Sequence, residues 1–343
     1  MSRMQPFPGF KHFTTHHCVT GSLRHIYAYH DYPISEEMLL GLGEGVGFIY
    51  WHMKGTLPFI GGRANAGRPG EEGLEKAIGR CTGVGVEAFH TSSARKAEAA
   101  LLADLEAQNP VFLILDMGFL PYFDFGGEEY HFGYHVVVAC GYDPEASRVL
   151  IADRDEKLHP VPLADLARAR GSTYKPFPPR HGSCRFDFSA AHPPQPEEML
   201  TAIHQTAERM LIPPISNLGV KGIRKAAERI PEWAAVLPEK ELRDTCIYTA
   251  FMIDARGGTG GGIFRSMYGR FLSEAAQAAG RDGLVAAGEL FGIIGARWDE
   301  VAHLFETAYR SATPAAQLQE ISALLLPIAD LEEEAWTVLM NQV

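Results

Sequence analysis

The clearest chemistry in this sequence lies in a cysteine that opens a helix and, much later, a histidine and an aspartate on successive strands. Cys18 stands directly before a helical pattern, Val19 to His30, with Leu23, Ile26 and Tyr27 on one face. At a helix start, unpaired N–H groups and the positive end of the helix favour a thiolate. The thiolate is the nucleophilic form. His135 opens the run HVVVACGY and Asp153 closes the run RVLIAD, with DPEAS between them. Two β-rich runs around a turn-forming cluster predict a β-hairpin. Its geometry brings the start of the first strand to the end of the second, so Asp153 can orient His135 while His135 faces Cys18 as acid and base. Asp155 is the alternative acid, and His131 in EEYHFGYH is the competing base.

The remaining reactive groups read more plainly. Cys81, Cys140, Cys184 and Cys246 are scattered without a CxxC pair, which suggests packed free thiols and no disulfide framework. His16, His17, Cys18 and His131 or His135 are zinc-ligand types, but HExxH and paired-cysteine spacing are missing, so no metal is expected. GLGEGVG (41–47) fits neither GxGxxG nor the Walker A pattern. It reads as a tight turn against the Cys18 helix, or as a cleft wall with Glu44 facing an amine. RGGTGGG (256–262) precedes a helix bearing Arg265. It reads as an inter-helix turn, or as an anion site in which Gly260, Gly261 and Arg265 hold a phosphopantetheine or coenzyme phosphate. In the aromatic loop 117–135, Phe119, Tyr122 and Phe123 either rim an acyl pocket or cap the core.

These residues need a frame, and the hydrophobic pattern supplies one. Helices are expected at 74–80 and at 94–108, the latter N-capped by Ser93, with a short one at 163–168. Strands are expected at 84–90, 111–115, 135–142, 148–153 and 184–188, and 61–73 is a loose stretch. Helix first and then an antiparallel-leaning sheet favours α+β over a doubly wound parallel sheet. The proline-rich AAHPPQPEE (190–198) marks a boundary, giving domains 1–190 and 191–343. The second is helical: Met199, Ile203, Ala207 and Met210 mark one helix, Phe264 to Ala275 another, and Leu318 to Leu339 a last one interrupted at Pro327.

Composition narrows the class. The 343 residues carry 42 acidic against 31 basic side chains, a net charge of −11, which argues against a nucleic-acid grip. No apolar run reaches the roughly 18 residues a membrane helix needs, and the start has no signal-type stretch. The expected address is the cytoplasm, without a membrane partner. Ala-rich helical faces are compatible with a homodimer.

Two segments carry a family resemblance. HHCVTGSLRHIYAYHDYPISEEMLLGLGEGVGFIYW resembles the N-terminal domain of the butirosin biosynthesis protein H family, and RGGTGGGIFRSMYGRFLSEA resembles its helical C-terminal domain. The Cys–His–Asp order also resembles papain-like peptidases, especially those of double-glycine leaders. The resemblance implies a papain-like N-terminal domain and a cysteine-dependent acyltransferase. Such an enzyme takes an acyl group from a carrier-protein or coenzyme thioester and passes it to an amine, with no resident cofactor. It carries over Cys18, His135 and Asp153. Two positions depart from the pattern: His12 stands where papain-type enzymes have an oxyanion glutamine, and Thr15 stands where the family has glycine. An oxyanion hole would then use the Cys18 N–H with His12 or His17. Two other readings remain open on the same core: a thiol peptidase or amidase, and a non-catalytic carrier- or peptide-binding module.

Overall fold

The computed structural model describes residues 4–65, 73–125, 130–175 and 177–342. Helices α1 (Cys18–Tyr29) and α2 (Glu36–Leu42) precede the hairpin β1 (Val46–Trp51) and β2 (Phe59–Arg63). There follow α3 (Leu74–Thr82), β3 (Gly85–Phe89), α4 (Ala94–Glu106) and β4 (Val111–Leu115). Next are β5 (His135–Asp143), β6 (Arg148–Ala152), β7 (Leu158–Pro162), α5 (Leu163–Arg170) and β8 (Ser183–Asp187). The rest is helical: α6 (Pro196–Leu211), α7 (Gly219–Arg229), α8 (Trp233–Val236), α9 (Glu239–Ile253), α10 (Arg265–Ala279), α11 (Gly283–Arg310) and α12 (Ala315–Gln342). The architecture is α+β, a sheet-bearing N-terminal part followed by a helical part. Most of the expected 61–73 stretch, residues 66–72, lies outside the described residues, as do 126–129 of the aromatic loop.

The chain divides into two compact units, Met1–Leu39 with Gly67–His192, and Leu40–Ala66 with Pro193–Val343. The second unit therefore takes in residues 40–66, which the division at 190 leaves in the first. In the first unit a six-stranded sheet has the order β3-β8-β4-β5-β6-β7, with every pairing antiparallel. Central strands β4 and β5 read as continuous apolar runs because both faces are covered. Leu113, Leu115, Val137, Ala139, Val149 and Ile151 form one core with Leu101 and Leu105 of α4 and Leu166 and Ala169 of α5. Ser93 caps α4 as expected, accepting from the Lys96 N–H.

A single bulge in this sheet matters for the chemistry. From the turn, Asp143 faces Arg148, Tyr142 faces Val149 and Gly141 faces Leu150, but beyond it Ala139 faces Ile151 and Val138 faces Ala152. Side chains alternate along a strand, so a one-residue slip sends them to the other face. Without the bulge Asp153 would fall opposite Val138 and point away from His135. With it, Asp153 falls opposite Val137 and shares the His135 face. Gly141 suits the site, because a Cβ there would meet the Gln5 carbonyl at 2.7 Å.

In the second unit, α11 packs against α9, α10 and α12. Trp233, Trp298 and Trp336 are all buried. Helices α10 and α11 meet through Gly269 and Gly288, where a Cβ on Gly269 would lie 2.6 Å from the Gly288 carbonyl. Hairpin β1–β2 belongs to this core: Phe48 packs on Trp298 at 5.5 Å, and Trp233 Nε1 donates to Tyr50 at 3.3 Å. The expected break at Pro327 does not occur. α12 runs through it, and the exposed ring is tolerated where the flanking Leu325 and Ile328 anchor the helix in the core. Among the described residues no helix is long and apolar enough to cross a membrane.

Candidate functional site

Cys18 is the first residue of α1, and it is half-buried where the other four cysteines are fully buried. As a first-turn residue its own N–H has no intrahelical acceptor. The turn before it is held by a buried carboxylate from α2. Glu36, 1% exposed, accepts from the His16 N–H at 2.8 Å, the His17 N–H at 2.6 Å and the Thr20 hydroxyl at 2.9 Å. Burial pushes its carboxyl up, against the pull of those bonds. In sequence Glu36 and Glu37 look like ordinary first-turn acids of α2, so nothing local marks Glu36. Thr15 fits where a glycine was expected because the glycine stands opposite instead: a Cβ on Gly21 would collide with Thr15 Oγ1. The Thr15 N–H is tied to the Arg154 carbonyl at 2.9 Å.

The structure brings Cys18, His135 and Asp153 together. Cys18 and His135 lie close enough for each to shift the other's protonation, and Nε2 of His135 lies 2.7 Å from Asp153 Oδ2. Burial alone would raise the Cys18 thiol, but His135, the charge of Arg154 and the Val136 N–H together bring it below its ordinary value of 9.0. Burial likewise opposes charge on His135, yet Asp153 and then Cys18 lift it to about 9. Asp153 ends at about 2: burial raises it, and His135, Arg154 and Tyr122 lower it further than that. This is the electrostatic condition for a thiolate–imidazolium pair held by a carboxylate.

The other expected site residues have other partners. His131, the competing base, is bonded through Nδ1 to Asp116 at 2.8 Å and stacks on Tyr174 at 3.4 Å. Asp155, the alternative acid, holds His159 at 2.9 Å. His17 is the N-cap of α1, its ring accepting from the Thr20 N–H. His12 stacks on His25 at 5.4 Å, and its Nε2 is buried with no hydrogen-bond partner among the described residues. Tyr122 does not offer its hydroxyl to a pocket: it donates to Asp153 Oδ2 at 2.8 Å. Phe119 and Phe123 pack against the sheet core.

Two expectations on the second unit are corrected. Glu44 is buried, and its carboxylate is taken by Arg209 and by the Gln205 amide, so it is not poised for an amine. The Gly260–Arg265 segment is no anion cradle. The Gly261 N–H is taken by Thr259 Oγ1 at 3.1 Å, and the Gly262 N–H by the Asp299 carboxylate at 2.7 Å. Arg265 is fully buried and forks onto Glu332 with two bonds of 2.9 Å. Its Nη1 holds the Gly47 and Ile263 carbonyls. A negative side chain already sits where an anion would bind. Among the described residues no group of three or more His, Cys, Asp or Glu side chains is arranged to hold a metal ion.

The cysteine stands on a helix, and the histidine and aspartate at the meeting ends of an antiparallel hairpin, within an α+β unit. The chain belongs to the family described as domain of unknown function DUF4872, which matches residues 164–339, over half its length. Residues 17–154 match the family described as butirosin biosynthesis protein H, N-terminal, so the chain combines both parts of that kind of protein. No curated protein matches it.

Proposed function

We propose that this protein is a cysteine-dependent acyltransferase of biosynthetic metabolism, moving an acyl group from a carrier-protein or coenzyme thioester to an amine. The observation that carries this reading is the convergence of Cys18, His135 and Asp153, with His135 Nε2 2.7 Å from Asp153, the thiol lowered and the imidazole raised. The match to a butirosin biosynthesis family supports a biosynthetic over a digestive role. In the proposed reaction the Cys18 thiolate attacks the thioester carbonyl, and the Cys18 N–H donates to the developing oxyanion. The donor's carbon–sulfur bond breaks, and the departing thiolate takes the proton from His135. An amine then attacks the acyl-Cys18. Neutral His135 removes its proton, the amide leaves, and the Cys18 thiolate returns beside an imidazolium.

Asp153 keeps the tautomer and orientation of His135 throughout. The binding-module alternative would gain if these three side chains stood beyond reach of one another; its support is His12 in place of an oxyanion glutamine, and the 2.7 Å contact of His135 with Asp153 counts against it. Hydrolysis uses the same first half-reaction, and the second product separates it from transfer.

The test is intact-mass measurement after incubation with a panel of acyl-pantetheine and acyl-coenzyme thioesters without acceptor. An acyl-sized increment is expected in the wild type and its loss in Cys18→Ala. Added amine should then yield an amide. Free acid alone would replace transfer with hydrolysis, and no adduct with ordinary slow alkylation of Cys18 would remove the enzyme reading.

A further inference from the structure

We infer that Tyr122 is a positioning residue for this site: its hydroxyl shares Asp153 Oδ2 with His135 Nε2 and so sets how firmly the carboxylate holds the imidazole. The inference deepens the proposed Cys18–His135 chemistry and rests on it.

The geometry is specific. Oδ2 of Asp153 receives His135 Nε2 at 2.7 Å and the Tyr122 hydroxyl at 2.8 Å, while Oδ1 receives the Arg154 N–H at 2.8 Å. Two donors on one oxygen compete for the same negative charge, so each weakens the hold on the other. The Tyr122 ring is not free to leave. It stacks on His159 at 3.9 Å, and His159 is itself fixed by Asp155. Next in sequence, Phe123 sets its ring edge-on to His135 at 5.5 Å. The dipeptide therefore grips both halves of the pair, the hydroxyl on the acid and the neighbouring ring on the base.

The other charged and titratable groups facing the pair are Cys18 and His25 from α1, and Arg154 and Asp155 from the loop after β6. Without the Tyr122 hydroxyl, the carboxylate would concentrate its hold on the imidazolium, and His135 would release its proton at higher pH.

The test is the His135 titration, followed by NMR of histidine-labelled full-length protein without any acyl donor. In Tyr122→Phe the His135 midpoint should rise by about half a unit to one unit, the size expected when a hydrogen bond to a charged group is redistributed. Replacement of Tyr122 by 3-fluorotyrosine, a stronger donor with nearly the same shape, should lower it by a few tenths. It also supplies the answer if Tyr122→Phe does not fold. Opposite shifts in the two proteins support the role. An unchanged midpoint in a folded protein, or shifts of the same sign, overturns it. Acyl-adduct formation by the wild type is scored separately: shifts without an adduct would overturn acyl transfer and leave the tuning of the pair by Tyr122 standing.

Discussion

Three donors converge on Asp153 and one charged ring joins it to Cys18, so protonation at this site has direct consequences for stability and reactivity. His135, with a folded value of about 9 against 6.5, contributes stability fully below pH 6.5 and loses it as pH rises through about 9. Asp153, at about 2 against 3.8, contributes fully above pH 3.8 and loses it as pH falls through about 2. The stability gap between wild type and Asp153→Asn is therefore expected to be widest between those limits and to shrink toward pH 9. Breaking a buried pair costs about 3–5 kcal/mol. Denaturant titrations at pH 5.5 and 9 check this, and an equal gap at both would refute it. Reactivity gives a second measurement. At pH 6.5, iodoacetamide should alkylate Cys18 at least about tenfold faster in the wild type than in His135→Gln, because each unit of thiol pKa is worth about tenfold in thiolate.

At the scale of elements, the site depends on a bulge and on a carboxylate that ties two helix starts together. Gly141→Val forces a side chain against the Gln5 carbonyl and the Leu150 Cβ, the latter at 3.1 Å. Overpacking of this kind costs about 1–3 kcal/mol, and the displaced strand should also let the His135 titration fall from about 9 toward 6.5. A titration that stays put would show that the bulge does not aim Asp153. Glu36→Ala leaves the buried His17 N–H and the Thr20 hydroxyl without their acceptor, at about 1–3 kcal/mol each. Slower alkylation of Cys18 should accompany the loss if Glu36 holds the turn that presents it.

Much at this scale was legible. The hairpin of β5 and β6 follows from two β-branched runs around a turn cluster, and α4 from its cap and 3.6-residue repeat. The bulge was not legible, because one glycine in a strand pattern does not say which way the register slips. Glu36 was hidden because its partners lie some 16 to 20 residues away, in the turn before α1 and its first turn.

For the whole molecule, the division of the chain is itself testable. Residues 40–66 pack their Val46, Phe48, Tyr50 and Ile60 within the second unit. A fragment ending at residue 190 strips these side chains of Trp233 and Trp298, so it is expected to aggregate when expressed. A soluble, monomeric 1–190 fragment by light scattering would contradict this grouping. In the second unit, Glu332 receives Arg265, Trp298 Nε1 at 2.7 Å and Trp336 Nε1 at 3.1 Å. Glu332→Ala leaves a buried guanidinium unpaired, with an expected loss of about 3–5 kcal/mol in chemical denaturation.

Local pattern, written along the sequence, determined α1, α3 to α6, α10 and α12, strands β3 to β6 and β8, the α+β class, and Cys18, His135 and Asp153 as candidates; it left α2, β1, β2, β7, α7 to α9 and α11 unread. These properties depend on residues a few positions apart, where periodicity and turn chemistry act. Only the tertiary structure decided that Arg265 serves Glu332 instead of an anion, that Glu44 belongs to Arg209, that Tyr122 holds Asp153, and that residues 40–66 join the helical unit. Each of those outcomes turns on which distant groups share a buried space. A buried charge or donor takes whatever partner folding places within reach, and the spacing of residue types along the chain does not encode that choice.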